Sequence, residues 1–527
     1  MNDNSSVGSS EIPGPGVVGD WKSRVTVDST LVTPSRIVPF LFTLTLAYWI
    51  SVAVYRMYFH PLAKYPGPKL AAMTNWAFNY NYLKGDIVPW QDELHKKYGE
   101  VVRLGPNRLS YITASALKEI MGHQTANHNS NPKNPQFNQP PPNGCDNLVT
   151  TRNDQYHGKM RRVLANAFSD RALREQEELI LTYVDKLLAL TRRYIAEDPE
   201  HRPAVNVVRL FNFTTFDIMG DLAFGESMGN LDSGKYASWV AAIMPAFYVL
   251  QIMGVVEPYA VPRFLFRTFM TSSMKKNLTK HWSESCESVS KRLAKGDSAR
   301  PDIWGLVLKK GDEITRPELD SNSHLFMLAG TETTATSLSG QVYYLLRYPD
   351  KMEKLLQEVR SVADESELTV DRLRHMPYLQ AVIDEALRIY PPVPIMAQRQ
   401  TPPRGNTLDG QFVPGNTLIA PATWTAFRHP VNWKDGNDFI PERWILNDPD
   451  YAQYHEYDKR EASQPFTTGP RACLGKNLAY YEMRAILSRL LYNFDLELCP
   501  ESQDWINQKS WSLWDKPPLM VKISPRK

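Results

Sequence analysis

The spacing of apolar and polar positions divides the chain into segments of different character. Residues 1–36 show no apolar periodicity and are rich in Gly, Ser and Pro, which predicts a disordered N-terminal arm. An uncharged apolar run follows, from Ile37 to Tyr55 (IVPFLFTLTLAYWISVAVY). As a helix it would be about 28 Å long, enough for the hydrocarbon layer of a bilayer, so residues 37–56 are predicted to be a transmembrane anchor. Tyr48, Trp49 and Tyr55 suit its interfaces. A secretory signal peptide is disfavoured: the run is too long, begins far from Met1 and lacks a small-residue cleavage site. Three prolines in HPLAKYPGPKLA (His60–Ala71) then predict a stiff elbow over 57–72.

Beyond the elbow the period changes. From about Arg152 to Lys295 apolar residues recur at three-four spacing, as in LILTYVDKLLAL, which predicts helices. A long helix is predicted over Ser321–Tyr348, stopped by Pro349, and another over Met376–Ile389, ended by Pro391 and Pro392. Short strand-like pieces separated by Gly and Pro fill 393–425. Residues 123–147 form an Asn/Pro-rich loop of a length that is usually functional or disordered. The stretch MPAFYVLQIMGVVEPYAVPRFLF is apolar and broken by prolines; a membrane-dipping or substrate-entry element and a core segment both remain open for it. Together these patterns predict a mainly α fold with small β-sheets (α+β), in one domain over 73–527 behind the anchor.

Composition narrows the function. The chain is 43% hydrophobic and 22% charged, as in ordinary globular proteins. A net charge of +3, with no basic run interleaved with aromatics, argues against nucleic acid. After the apolar run, Arg56, Lys64 and Lys69 precede the next acid, Asp86, whereas Lys22, Arg24 and Arg36 before it are offset by Asp3, Glu11, Asp20 and Asp28. That bias puts the long C-terminal part in the cytosol and the arm, with its Asn4-Ser5-Ser6 glycosylation sequon, in the lumen. The four cysteines, Cys145, Cys286, Cys473 and Cys499, form no close pair, which disfavours a disulfide framework or zinc knuckle and suits a reducing compartment. Gly14–Gly19 fits Gly-x-Gly-x-x-Gly but follows no strand, and no other nucleotide or flavin fingerprint occurs, so electrons for any redox chemistry must come from a partner.

Two stretches carry candidate chemistry. In FTTGPRACLGKNLA (Phe466–Ala479), Cys473 sits where a Gly-Pro turn hands over to an apolar-periodic helix. A helix N-terminus stabilises a thiolate, and Gly469 and Gly475 permit unusual backbone angles and close approach to a flat ligand. A lone cysteine is more often an inert core residue; the full Phe-x-x-Gly-x-Arg-x-Cys-x-Gly spacing is what reverses that balance. In AGTETT (Ala329–Thr334), a glycine inside a helix costs about 1 kcal/mol relative to alanine and suggests a local opening or a close ligand. Glu332 and Thr333 form an acid–alcohol pair able to carry protons, although alone they read as an ordinary Thr-rich helix.

The cysteine stretch resembles the haem-binding loop of the cytochrome P-450 superfamily, and three further matches occur in that family's order. Ala329–Thr334 resembles its oxygen-binding groove, Glu385-Ala386-Leu387-Arg388 its Glu-x-x-Arg motif, and Pro441-Glu442-Arg443-Trp444 its Pro-Glu-Arg-Phe/Trp motif. The resemblance runs from about Tyr58 to Lys522. It implies the P-450 fold and haem b, with Cys473 as axial ligand of the iron; thiolate ligation favours O–O cleavage. It also implies that Phe466 shields the sulfur, that Arg471, Arg399, and His157 and Arg161 of HGKMR contact the haem carboxylates, and that Glu385, Arg388 and Arg443 form a buried triad. His157 stands where the family usually has an aromatic. Thr333 would face dioxygen, with Glu332 relaying protons. Phe326, Ala329, Val393 to Met396 including Ile395, the 123–147 loop and Leu513 would line a substrate pocket.

The activity so implied is hydroxylation or another oxidation of a hydrophobic small molecule, with dioxygen. Electrons would come from an NADPH-dependent flavin reductase docking near Arg471 and Lys476, with cytochrome b5 as a second donor. A monomer on the endoplasmic reticulum membrane is expected. LFNFTTFDIMGDLAFGES (210–227) and NLAYYEMRAILSRLLYNFDLEL (477–498) look most like fungal secondary-metabolite enzymes of the isotrichodermin and averantin hydroxylase type. A haem-thiolate isomerase or dehydratase needing no reductase, and a haem sensor, remain as alternatives.

Overall fold

Prolines and capping side chains set where the helices of this protein begin and end. Its computed structural model describes residues 34–526 apart from 125–128, 136–137, 139, 238–242, 297–301, 309–313, 397 and 447. The Asn4 sequon, the Gly14–Gly19 stretch and nearly all of the N-terminal arm lie outside the described residues. The chain divides into two units, residues 1–55 and 56–527. In the first, α1 (Pro34–Val54) starts three residues before the predicted anchor, with proline at its first position. The apolar helical run continues as one turn of π-helix to Phe59, and the side chains of residues 38–51 in α1 are exposed.

The elbow belongs to the second unit. Leu62 and Tyr65 are buried in one apolar cluster with Leu109, Tyr111, Leu408 and Val413. The Pro66 carbonyl accepts a hydrogen bond from Arg103 N at 2.7 Å, and a short helix, Lys69–Met73, begins as soon as Pro68 is passed.

The main helices of the second unit that position the site are α2 (Ala114–Met121), α3 (Asp154–Ala165), α4 (Asp170–Glu197), α5 (Val207–Phe224), α6 (Ile243–Val256), α7 (Ala260–Phe269), α8 (Ser272–Ala294), α9 (Arg316–Arg347), α10 (Pro377–Ile389) and α11 (Lys476–Asn493). The strands are β1 (Val101–Gly105), β2 (Arg108–Tyr111), β3 (Ala204–Asn206), β4 (Arg399–Gln400), β5 (Asn406–Leu408), β6 (Gln411–Val413), β7 (Leu418–Pro421), β8 (Phe494–Leu498), β9 (Lys509–Trp511), β10 (Leu513–Asp515) and β11 (Met520–Pro525). They form a four-stranded sheet in the order β1-β2-β7-β4, a three-stranded sheet β3-β11-β8, and the hairpins β5-β6 and β9-β10. In the first sheet only β2 and β7 run parallel. The mainly α architecture with small sheets is as predicted, and the strand pieces of 393–425 are β4 to β7.

Helix α9 is the axis of the core and packs against α5, α8, α10 and α11. It begins five residues before the predicted start because Thr315 and Glu318 form a capping box with Pro317 in the first turn. Thr315 N donates to Glu318 Oε2 at 2.7 Å. The helix is unbroken through Ala329–Thr334, so Gly330 does not mark a local opening. A Cβ placed on Gly330 would lie 2.8 Å from Met219 Sδ; the glycine lets α5 approach α9 closely.

Candidate active site

The stretch Phe466–Gly475 folds as a tight loop that delivers Cys473 to the start of α11. Cys473 N donates to the Phe466 carbonyl at 2.9 Å, closing the loop on itself. Gly469 makes the turn with φ +78°, where a Cβ would lie 2.3 Å from the Met121 carbonyl oxygen, so both conformation and space require glycine. Two arginines pin the loop to α3. Arg161 Nη1 donates to the Ala472 carbonyl at 2.6 Å, while Arg471 donates to Thr151 O at 2.9 Å and Asp154 Oδ1 at 2.6 Å. The Phe466 ring rests against Tyr480, 5.2 Å between centroids.

Cys473 opens onto an interior cavity of about 400 Å³. Desolvation pushes its thiol pKa up, while a backbone hydrogen bond from Gly475 and the charges of Arg161 and Lys476 pull the other way and favour the thiolate. A Cβ on Gly475, which also lines the cavity, would meet nothing within 4 Å of protein; the glycine leaves room beside the sulfur.

One end of the cavity is a cluster of bases. His157, Arg161, Arg399 and Arg471 all line it, as does Lys133 from the Asn/Pro-rich loop. Lys133 is buried, and its ammonium group donates to the Val149 carbonyl. Burial, then Arg471 and Arg399, lower its pKa to about 7. Burial and Arg471, with Lys133 and Arg161, lower that of His157 to about 4. Burial and Arg471 lower Arg399 to about 10. Such crowding of cations is costly until an anion joins it, and the one carboxylate bonded to the cluster among the described residues, Asp154, is largely exposed. Sequence reading found four of the five bases. Lys133 was missed because a lysine between two prolines in a polar loop looks like a solvated one.

The opposite wall comes from α9. Ala329, Gly330, Thr333 and Thr334 line the cavity, and the Thr333 hydroxyl donates to the Ala329 carbonyl at 2.6 Å. Phe326 and Val393 line it with Phe168, Met219, Leu325 and Met396, which makes this part strongly apolar. Three expected residues stand elsewhere. Ile395 packs against the main core instead, and Leu513 is buried in β10 outside the cavity lining. Glu332, one position before Thr333, projects from a different side of the helix and is ion-paired with Lys516. The acid that does line the cavity is Glu482 on α11.

Beneath this site, Glu385 is wholly buried with Arg388 and Arg443. Arg388 Nη2 donates to Glu385 Oε1 at 2.7 Å and Arg443 Nε to the same oxygen at 3.1 Å. Burial alone would raise the Glu385 pKa, but the two guanidinium groups outweigh it and hold it low. Trp444 Nε1 donates to Glu385 Oε2 at 2.9 Å, and Asp458 adds a second carboxylate on Arg443. Arg388 also donates to the carbonyls of Phe427, Gly436 and Asp438, so α10 is tied to the chain leading into the cysteine loop. Asp458 and Trp444 extend the predicted triad to five side chains.

A slot with a thiol on one wall, apolar surfaces and a cationic end fits haem, whose iron can take a thiolate and whose two carboxylates would find the bases. Cys473 would hold the iron, and His157, Arg161, Arg399, Arg471 and Lys133 the carboxylate edge. Comparison with known proteins agrees. The family description Cytochrome P450 matches residues 66–523. The chain is 39% identical over 486 residues to the cytochrome P450 monooxygenase FUM2 of Gibberella moniliformis, covering 89% of this chain and 99% of that one. It is 40% identical over 476 residues to the monooxygenase AMT3 of Alternaria alternata, covering 90% and 96%. It is 41% identical over 482 residues to the monooxygenase aclL of Aspergillus oryzae, covering 90% and 96%. With a family match over almost the whole second unit and relatives this similar over their full length, the chain belongs to the cytochrome P450 family, as a haem-dependent monooxygenase.

Proposed function

We propose that the protein is a membrane-anchored monooxygenase that oxidises an apolar intermediate of fungal secondary metabolism, such as a terpenoid, polyketide or alkaloid, with electrons from an NADPH-dependent reductase. The observation that carries this reading is the cavity itself: Cys473 on one wall, Thr333 on the other, and Phe168, Met219, Leu325 and Phe326 between them. The haem, when bound, supplies the dioxygen chemistry. The protein's own residues divide the remaining work. Cys473 would hold the cofactor through its sulfur, and the basic cluster would neutralise its carboxylates. The apolar wall takes up the substrate and excludes water. Thr333 presents a hydroxyl to the reacting side.

Two features support the membrane setting. Helix α1 is long and apolar enough to cross a bilayer. Helix α7 leaves Val261, Phe264, Leu265 and Phe269 exposed at three- and four-residue steps, an apolar face suited to lying in a membrane surface. We place the anchor in the endoplasmic reticulum with the second unit in the cytosol, as the basic residues after the anchor favour. The reductase would dock near Lys476, which lies beside the cysteine loop; cytochrome b5 as a second donor and a monomeric state go with this arrangement.

The test is direct. Purified full-length protein, reduced and treated with carbon monoxide, should show the absorption band that gives the family its name. With reductase and an extract of the host deleted for this gene, it should consume NADPH and dioxygen and convert the accumulated metabolite to an oxygenated product. Conversion without NADPH would indicate the isomerase alternative.

A further inference from the structure

We propose that Arg108 is a binding site for the anionic head of an amphiphilic molecule, the carboxylate of a free apolar acid or the phosphate of a lipid, where β2 meets the junction of α6 and α7. The inference goes beyond the monooxygenase reading and does not depend on it.

Arg108 is a buried cation that no anion of the protein answers. It is 4% exposed, and its Nε and Nη1 are sealed from solvent without a hydrogen-bond partner. The other buried arginines among the described residues are accounted for. Arg292, Arg388, Arg443 and Arg489 donate to carboxylates, and Arg103 and Arg428 to backbone carbonyls. Arg399 lines the cavity with the other bases. Besides burial, the groups that act on the Arg108 charge are Tyr259 and Tyr82, neither of them a carboxylate. Burial lowers its pKa only to about 10, so the side chain stays charged at neutral pH. A buried charge in that state calls for a ligand.

The geometry leaves its donors free to take one. The guanidinium carbon lies 3.6 Å from the centroid of the Phe78 ring. Stacking on an aromatic face occupies the flat side of the group and leaves the N–H edge available in its plane. That edge is the fork that matches two oxygens of a carboxylate or phosphate. Polar side chains gather beside it. Tyr82 stands one turn after Phe78 in the helix Trp76–Lys84, and its hydroxyl is 3.4 Å from Ser512 Oγ, in the turn between β9 and β10. Gln251 of α6 donates to the same oxygen at 3.2 Å, while its own Oε1 is buried with no partner. Tyr259 is the residue at which α7 begins.

The surroundings of this polar cluster are apolar. Tyr248 and Leu250, near Gln251 on α6, are exposed, and so are Tyr259 itself and Val261 and Phe264 on α7. A bare anion would gain nothing from such a rim. A molecule with a charged head and an apolar body uses both.

Hydrogen exchange read by mass spectrometry tests the proposal on full-length, haem-loaded protein in a non-ionic detergent. Octanoate serves as the free acid and dioctanoyl phosphatidic acid as the lipid. With at least one of them, exchange should slow over the helix Trp76–Lys84 and over residues 248–260 and 509–515; the one that acts identifies the source of the head. Octanol and dioctanoylglycerol, which carry the same apolar bodies without charge, should give no such slowing. In Arg108→Met the affinity should fall about tenfold or more, as expected for a lost charge-assisted hydrogen bond. Arg108→Lys should keep most of the protection. Without ligand, Arg108→Met should melt no lower than the parent, because the side chain removed strands no polar partner. No slowing with either molecule, equal slowing in Arg108→Met, or equal slowing by the uncharged analogues overturns the proposal. So does Arg108→Met melting well below the parent, which would show that the arginine already has its partner within the protein.

Discussion

Lys516 Nζ lies 2.5 Å from Glu332 Oε2 and 2.7 Å from Thr336 Oγ1, in a pair whose side chains are only 4% and 7% exposed. Lys516 directly follows β10, so this contact fastens the C-terminal hairpin to the helix that carries Thr333. The same hairpin meets α6, where Gln251 Nε2 donates to Ser512 Oγ at 3.2 Å and Tyr248 packs edge-on against Trp511. One short hairpin thus joins the cavity helix to the apolar segment that precedes α7.

Removing one partner of a buried ion pair leaves the other charge stranded. Lys516→Met is therefore expected to destabilise the protein by about 3–5 kcal/mol in urea unfolding. The double variant Lys516→Met, Glu332→Gln should recover most of that loss, because no charge is then left buried. A single variant as stable as the parent would show that water reaches the pair.

Cys473 and Thr333 face each other across the cavity but should fail differently. Cys473→Ser is expected to abolish the carbon monoxide band, since the sulfur is the one thiol lining the cavity among the described residues. Thr333→Ala removes a hydroxyl and leaves the basic cluster and the sulfur intact. It should retain the band and the haem content while a larger share of NADPH is consumed without organic product. Normal product formation by the serine variant would refute the ligand assignment.

The buried histidines make stability depend on acid. His95, His157 and His324 are each lowered from 6.5 to about 4, in every case chiefly by burial. Between those values the unfolded chain binds protons that the folded chain does not, so stability must fall as pH drops from about 6.5 toward 4. For haem-free protein, His157→Asn should reduce the loss measured between pH 6.5 and 5 by about 2 kcal/mol. Haem carboxylates beside His157 would raise its pKa, so the effect should shrink in the loaded protein. An identical pH dependence in the variant would mean that His157 is already solvated.

The site was legible in the sequence where a residue type is locally unusual. A cysteine between glycines, a Glu-x-x-Arg helix followed by Pro-Glu-Arg, and a glycine inside a Thr-rich helix each stand out within a few positions. What stayed hidden depends on approach between distant segments. Lys133 reaches the bases from a polar loop, and Asp458 meets Arg443 only because the chain turns back between them. The contact made by Glu332 was hidden for a similar reason. The partner that claims Glu332, Lys516, is 184 residues away. Residues 61–68 of the elbow are non-helical, but a short helix, Lys69–Met73, occupies the end of the 57–72 stretch whose prolines are read as preventing one, and only the fold shows Leu62 and Tyr65 buried with Leu109 and Tyr111 of β2.

Gly330 gives the sharpest separation of packing from chemistry. Its missing Cβ would lie 2.8 Å from Met219 Sδ and 3.0 Å from Met219 Cε, while the same glycine lines the cavity beside Thr333. Gly330→Ala gains about 1 kcal/mol of helix preference but must push the Met219 side chain aside. Methionine is flexible enough to move, and the space it moves into is the cavity. The variant is therefore expected to keep its stability within about 1 kcal/mol, the helix gain offsetting part of the overpacking, yet to bind bulky apolar ligands more weakly. Met219→Ala in the same background should restore ligand binding, measured by titrating an apolar azole and following the haem spectrum. Tight azole binding by Gly330→Ala alone would show that Met219 yields toward α5 rather than into the cavity.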